Sequence, residues 1–308
     1  MTIALQHVAE VPPAGIASSS RRDLAIAANG TAYILDSRGD RVFAFTPAGQ
    51  LRTTLGLTAS GAKTHVAGYL IAPMGNSGVL VYDTFAGMVH AFRWSSTAAM
   101  TERGSTNVGS DMAKDLCAIG DTAYVLQRTG DRMVHAYMIS GGSVRTFGQA
   151  PGSDRYVRAA IVDAGGHLAC APHLGLVIVA LRASGTVYAF RPDGTPAWQF
   201  KVPNFVGLSF RTMPDSSVQM AWAGGAKDAV VSTFTISDSV IAVQVRRIDA
   251  TGSRLETLLF SPPDMRVIGR SLAVPMARRV QGNMLITGEG APSLHAETYR
   301  IRLSNGGH

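Results

Sequence analysis

Short apolar stretches recur along this chain and are broken every few residues by glycine, proline, asparagine or aspartate. Residues 31–35, 123–126 and 240–245 alternate or cluster apolar side chains over four to six positions. That is the pattern of strands whose side chains point by turns to the two faces of a sheet. No window of twelve or more residues carries a 3.6-residue period free of glycine and proline, so the pattern predicts almost no helix.

The strand signals repeat at long range. The segment from Asp36 to Gly49 reads as a turn, a short strand closing on an aromatic residue, and a Pro/Gly turn. Drifted copies follow, and their closing residues are Phe45, Phe92, Tyr137, Phe190, Ile248 and Ile301, spaced 47, 45, 53, 58 and 53 residues apart. Four positions after the anchor stands Gly49, Gly141, Gly194 or Gly252 in four copies and Asn305 in the sixth, while the second copy has Ser96. Glycine and asparagine tolerate the left-handed backbone that a tight hairpin turn needs. A unit of about 50 residues holding four short antiparallel strands matches one propeller blade. Six units use the whole chain, so the expected fold is all-β: a six-bladed β-propeller forming one domain over residues 1–308. The sixth copy has no room for a fourth strand, whereas residues 3–11 are a spare apolar stretch ahead of the first copy. The N-terminal strand is therefore expected to complete the last blade and close the ring, removing an open sheet edge.

Composition narrows the class. Of the 308 residues 46% are apolar, enough for a large core and incompatible with a disordered chain. No run of 18 apolar residues is present, which excludes a membrane-spanning helix. His7, Glu10 and two prolines interrupt the first fifteen residues where a secretory leader needs an apolar core. As written the chain reads as cytoplasmic, with an exported form whose leader has been removed as the alternative. Cys117 and Cys170 each lie in an apolar run and are expected as two buried thiols in a reduced or indifferent compartment. The formal net charge is +7. The basic residues are scattered in ones and twos without interleaved aromatics, which argues against nucleic acid and leaves an acidic small molecule or peptide as the partner.

The stretch from Asp23 through Asn29-Gly30, Tyr33 and Asp36 to Asp40, Arg41 and Gly49 resembles an NHL-type repeat, and the chain is similar to bacterial six-bladed propellers of that broad superfamily. The first copy matches well and the others are degraded. The resemblance implies the blade and not the task, since such propellers serve as binding modules, hydrolases, lyases and lactonases.

Ligands of a propeller meet the side chains that the innermost strands deliver to the channel mouth. The expected starts of these strands are Arg22-Asp23, Thr64-His65, Lys114-Asp115, Arg158 and Arg270-Ser271. His167 is an alternative to Arg158 in the fourth blade, and either Arg211 or Gln219 fits the fifth. Arg22, His65, Lys114, Arg158 and Arg270 are thus the candidate ligand contacts for a carboxylate or phosphate, with Asp23 and Asp115 offsetting part of their charge. The alternative is that these groups pair with one another and line a water-filled channel. An enzyme of lyase, hydrolase or lactonase type would use His65 as acid, base or ligand. A protein-interaction scaffold would use Phe85, Trp94, Trp198 and Trp222, for which core packing is the competing explanation. His90 and His135 occupy one repeat position, two before the anchor, and are read as structural. No metal and no cofactor is expected: one inner histidine is too few for the hydroxyglycine-lyase type, and no glutamate falls on an expected inner strand as the lactonase type requires. Glu289 stands between two glycines in an expected loop. Phosphate-binding loops, nucleophile elbows and paired Cys or His zinc motifs are absent.

Overall fold

A computed structural model describes residues 1–11, 21–36, 40–57, 66–94, 100–109, 111–129, 131–142, 144–222, 227–262, 264–288 and 296–304. The chain opens with β1 (Thr2–Val11). Four strands then form each blade in turn. Blade 1 is β2 (Arg21–Ile26), β3 (Ala32–Asp36), β4 (Arg41–Phe45) and β5 (Leu51–Gly56). Blade 2 is β6 (Gly68–Met74), β7 (Gly78–Asp83), β8 (Met88–Trp94) and β9 (Met100–Asn107). Blade 3 is β10 (Asp115–Ile119), β11 (Thr122–Thr129), β12 (Arg132–Met138) and β13 (Arg145–Gln149). Helix α1 (Arg155–Asp163) precedes blade 4, which is β14 (Gly166–Ala171), β15 (Leu176–Leu181), β16 (Thr186–Phe190) and β17 (Pro196–Lys201). A separate hairpin, β18 (Leu208–Thr212) and β19 (Val218–Trp222), leads to blade 5: β20 (Lys227–Ser237), β21 (Val240–Asp249), β22 (Gly252–Ser261) and β23 (Arg266–Ser271). Blade 6 is β24 (Ala277–Gln281), β25 (Met284–Thr287), β26 (Ala296–Ser304) and β1.

The first strands of neighbouring blades pack against one another around the ring, with β2 against both β6 and β24. This is a six-bladed β-propeller. Closure is as expected: β1 pairs antiparallel with β26 from Thr2 opposite Ser304 to Val11 opposite Ala296. The second strands of blades 1, 2 and 4 are almost wholly apolar and buried, and the core lies between blades rather than in one centre.

The turn chemistry holds where the glycines predicted it. In blade 1 Thr46 N–H donates to Gln50 O at 2.8 Å and Gly49 N–H to Thr46 O at 2.9 Å, and in blade 4 Arg191, Thr195 and Gly194 make the same pair. Gly49 and Gly194 have φ of 80° and 90°, a conformation open to glycine at no steric cost.

Two expectations, the fifth anchor and the pair of free thiols, need correction, while one short helix agrees with the expectation of almost no helix. Ile248 lies on β21, a second strand, because the β18–β19 hairpin lengthens the fifth unit. Phe260, opposite Ile241 on β22, takes the place that Phe45 takes opposite Ala32. A nine-residue helix is present, capped by Asp154, whose carboxylate accepts from Tyr156 and Val157 N–H at 2.9 and 3.0 Å. Cys117 and Cys170 form a disulfide between β10 and β14, with a Cα–Cα distance of 5.6 Å; the two apolar runs that hid them are the facing inner strands of adjacent blades. No helix among the described residues is long and apolar enough to cross a membrane.

Candidate functional site

An inner strand leaves one edge unpaired toward the axis, and its N–H groups need partners. Asp23 and Asp115 supply them in the same way two blades apart. Asp23 accepts from Leu24 N–H on its own strand and from Ile71 N–H on β6, both at 2.9 Å. Asp115 accepts from Leu116 N–H at 3.0 Å and from Leu168 N–H on β14 at 2.8 Å. Both carboxylates are fully buried and both require countercharge. It comes from blade 6, which neighbours the blade of Asp23 and faces that of Asp115 across the channel. Arg278 Nε donates to Asp23 Oδ1 at 2.6 Å, and Arg279 holds Asp115 with both terminal nitrogens, Nη1 to Oδ2 at 2.8 Å and Nη2 to Oδ1. Burial alone would raise the Asp115 carboxyl, but the Arg279 guanidinium outweighs it and holds the group below its ordinary value.

His167 stands beside this pair, with Nδ1 3.9 Å from Asp115 Oδ2. Burial pushes its pKa from 6.5 down to about 4; Asp115 pulls the other way, and Arg278, Arg279 and Arg182 add to the fall. The imidazole is neutral at neutral pH. Deeper in the channel a cavity of only about 30 Å3 lies between Arg279, Ser232, Thr233 and the disulfide, roughly the room of one water. The channel is therefore plugged by its own ion pairs at this level.

Above the plug, where the inner strands begin, a pocket of about 430 Å3 opens. Lys114, Arg182 and Arg278 line it with His167, Tyr69, Leu70 and Met112, and Asp163 at the end of α1 is the one carboxylate on its wall. Lys114 Nζ lies 3.5 Å from Asp163, which also accepts from Arg128 Nη1 at 2.8 Å. Arg182 is exposed and forms no ion pair among the described residues. The mouth thus offers fixed, partly compensated cations around one uncompensated guanidinium.

The structure brings some of the expected contacts here and not others. Lys114 is on the pocket wall, and Arg22 lies on β2 next to Asp23, at the axis end of blade 1. His65 and Glu289 lie outside the described residues. Arg158 is on α1, because the inner strand of blade 4 begins later, at Gly166, and carries His167 in its place. Arg270 is on β23, the outermost strand of blade 5, 3.5 Å from Glu256; the inner strand that follows begins with Ala277-Arg278-Arg279. Arg211 and Gln219 pair across the β18–β19 hairpin, off the ring, and blade 5 starts with Lys227-Asp228. His90 and His135 are buried on third strands, away from the channel. Of the aromatic candidates, Trp94 is capped by Arg52 at 4.3 Å and Trp198 packs on Phe200, whereas Phe85 is exposed. Sequence reasoning missed Arg182 as well; its signal was a cation directly ending the fully apolar run of β15. Among the described residues no group of three or more His, Cys, Asp or Glu side chains stands together to hold a metal.

No family model matches the chain, and no curated protein matches it in sequence. Solved structures do share its shape. A member of the DUF4221 family from Bacteroides vulgatus is 8% identical with a TM-score of 0.63, the match covering 98% of this chain and 99% of that one. A protein of unknown function from Bacteroides thetaiotaomicron is 13% identical with a TM-score of 0.57, over 98% and 76% of the two chains. Virginiamycin B lyase from Staphylococcus aureus is 9% identical with a TM-score of 0.53, over 98% and 100%. At such identities the likeness is one of fold.

Proposed function

We propose that the protein is a binding propeller, acting as one domain over residues 1–308, whose channel mouth takes an anionic small molecule or peptide. The observation that carries this reading is the 430 Å3 pocket with Lys114, Arg182 and Arg278 on its wall against the single carboxylate of Asp163. Arg182 forms no ion pair among the described residues and can make a bidentate contact, and the plug of Arg279 and Asp115 beneath keeps the ligand at the surface. Arg22 is a further candidate contact from its place on β2. An enzyme acting on an acidic substrate would hold it in the same pocket, and turnover of the bound ligand separates the two.

Kinship with NHL-type propellers rests on the first repeat. The Cys117–Cys170 bond favours an oxidising compartment over a reducing one; alkylation of protein denatured without reductant, followed by mass measurement, finds no free thiol if this is right.

Calorimetric titration with citrate and with inorganic phosphate tests the binding reading. Wild type binds at least one of them, more weakly as salt rises, and the K114A/R182A double variant loses tenfold or more. Equal binding by the double variant, or none by wild type at millimolar ligand, overturns it.

A further inference from the structure

Phe85 projects into solvent with 87% of its surface exposed, at the tip of the β7–β8 turn. The turn is built to hold it there. The buried carboxylate of Asp83 accepts from Phe85 N–H at 2.8 Å and from Ala86 N–H at 3.0 Å, an aspartate turn that fixes the backbone under the ring. The other oxygen of Asp83 accepts from Ala67 N–H at 3.1 Å, two residues before Tyr69 on the pocket wall. Beside it the Tyr82 hydroxyl lies 3.4 Å from both Ala113 N and Asp111 O. Met112, between those two residues, is exposed and lines the same pocket. Tyr82 and Asp83 therefore tie an outward phenyl ring to the apolar rim of the cationic mouth.

Resting on the reading that the mouth takes an anion, we propose that the ligand is a segment of another protein, acidic and bearing a large apolar side chain close to its carboxylate. The carboxylate enters between Lys114 and Arg182, and the apolar side chain packs on Met112 and Phe85. A small acid would use the pocket and leave Phe85 without a role. An exposed aromatic side chain held by a pre-formed turn is the kind of anchor on which peptide affinity concentrates, because little freedom is lost when it is covered. A bilayer fits less well. Lys114 and Arg278 are only 22% and 32% exposed within a concave pocket, where a side-chain carboxylate reaches and a flat headgroup surface does not.

Panning a phage-displayed random peptide library on the full chain, followed by fluorescence anisotropy on the enriched peptides, tests this. The expected sequences carry aspartate or glutamate within a few positions of an aromatic or large aliphatic residue, and phosphate competes with them. Phe85→Ser lowers the ratio of peptide to phosphate affinity at least tenfold. Leu51→Ser, an exposed apolar position at the opposite end of blade 1, leaves peptide binding at the wild-type value. Enriched peptides without acidic residues, or bound equally by F85S, overturn the proposal. So does retention on phosphatidylserine vesicles that depends on Phe85 with no peptide enriched, which assigns the face to a membrane. If phosphate binding falls in K114A/R182A while peptides ignore Phe85, only this proposal fails; if phosphate binding does not fall, the underlying anion reading fails with it.

Discussion

Asp115 bridges two blades through backbone N–H groups and depends on Arg279 for its charge. Removing one partner of a buried pair leaves the other uncompensated. Arg279→Met is therefore expected to destabilise the fold by about 3–5 kcal/mol in urea unfolding, and adding Asp115→Asn is expected to recover part of the loss. His167 makes a separate, pH-dependent contribution. Its folded pKa of about 4 lies below the unfolded value of 6.5, so the unfolded chain takes up a proton first as pH falls. Its share of stability is complete above pH 6.5 and is lost on going down to about pH 4, on the order of 3 kcal/mol. His135, lowered by burial, acts in the same direction, while the stability that Asp115 contributes is complete above its unfolded value of 3.8 and is lost only below it. Unfolding followed across this window shows a slope that His167→Gln reduces; an unchanged slope contradicts the account of His167. Asp23 and Asp115 were legible from sequence as charges at inner-strand starts. Arg278 and Arg279 were legible only as a basic doublet, because nothing local marks which arginines reach into the channel to meet them.

At the level of elements, the errors of register have physical causes. The helix escaped notice because its nine residues fall below the window in which a 3.6 period stands out, although Asp154 at its cap and the apolar Val157 and Ile161 were in view. That helix pushed the start of the inner strand from Arg158 to Gly166. The β18–β19 hairpin displaced the fifth anchor in the same manner. Phe260→Ala, at a fully buried site, is expected to cost roughly 3–5 kcal/mol, and Ile248→Ala, at an exposed one, less than about 1 kcal/mol; chemical denaturation of the two variants checks the assignment. The disulfide was hidden because two cysteines in separate apolar runs reveal no partner until adjacent inner strands are paired. Its replacement in C117S/C170S is expected to lower stability by about 2–4 kcal/mol, read as a shift of the denaturation midpoint.

The molecule as a whole is a ring closed by its own N-terminal strand, and this closure was readable because the last repeat lacked a strand that the first had to spare. Deleting residues 1–11 exposes an edge on β26 and is expected to lower the melting temperature of the entire ring in one transition; a melt like that of wild type contradicts the closure. The position of the mouth followed from the repeat, but its chemistry depended on loop lengths that the repeat does not encode. That is why Lys114 reached the pocket while Arg158 and Arg270 did not. The most direct test of the binding site is an anomalous diffraction measurement on crystals soaked in selenate. The account predicts selenium density within hydrogen-bonding reach of Lys114, Arg182 and Arg278 at the channel mouth. Density confined to other arginines, such as Arg254 and Arg270 on blade 5, with the mouth empty, contradicts it.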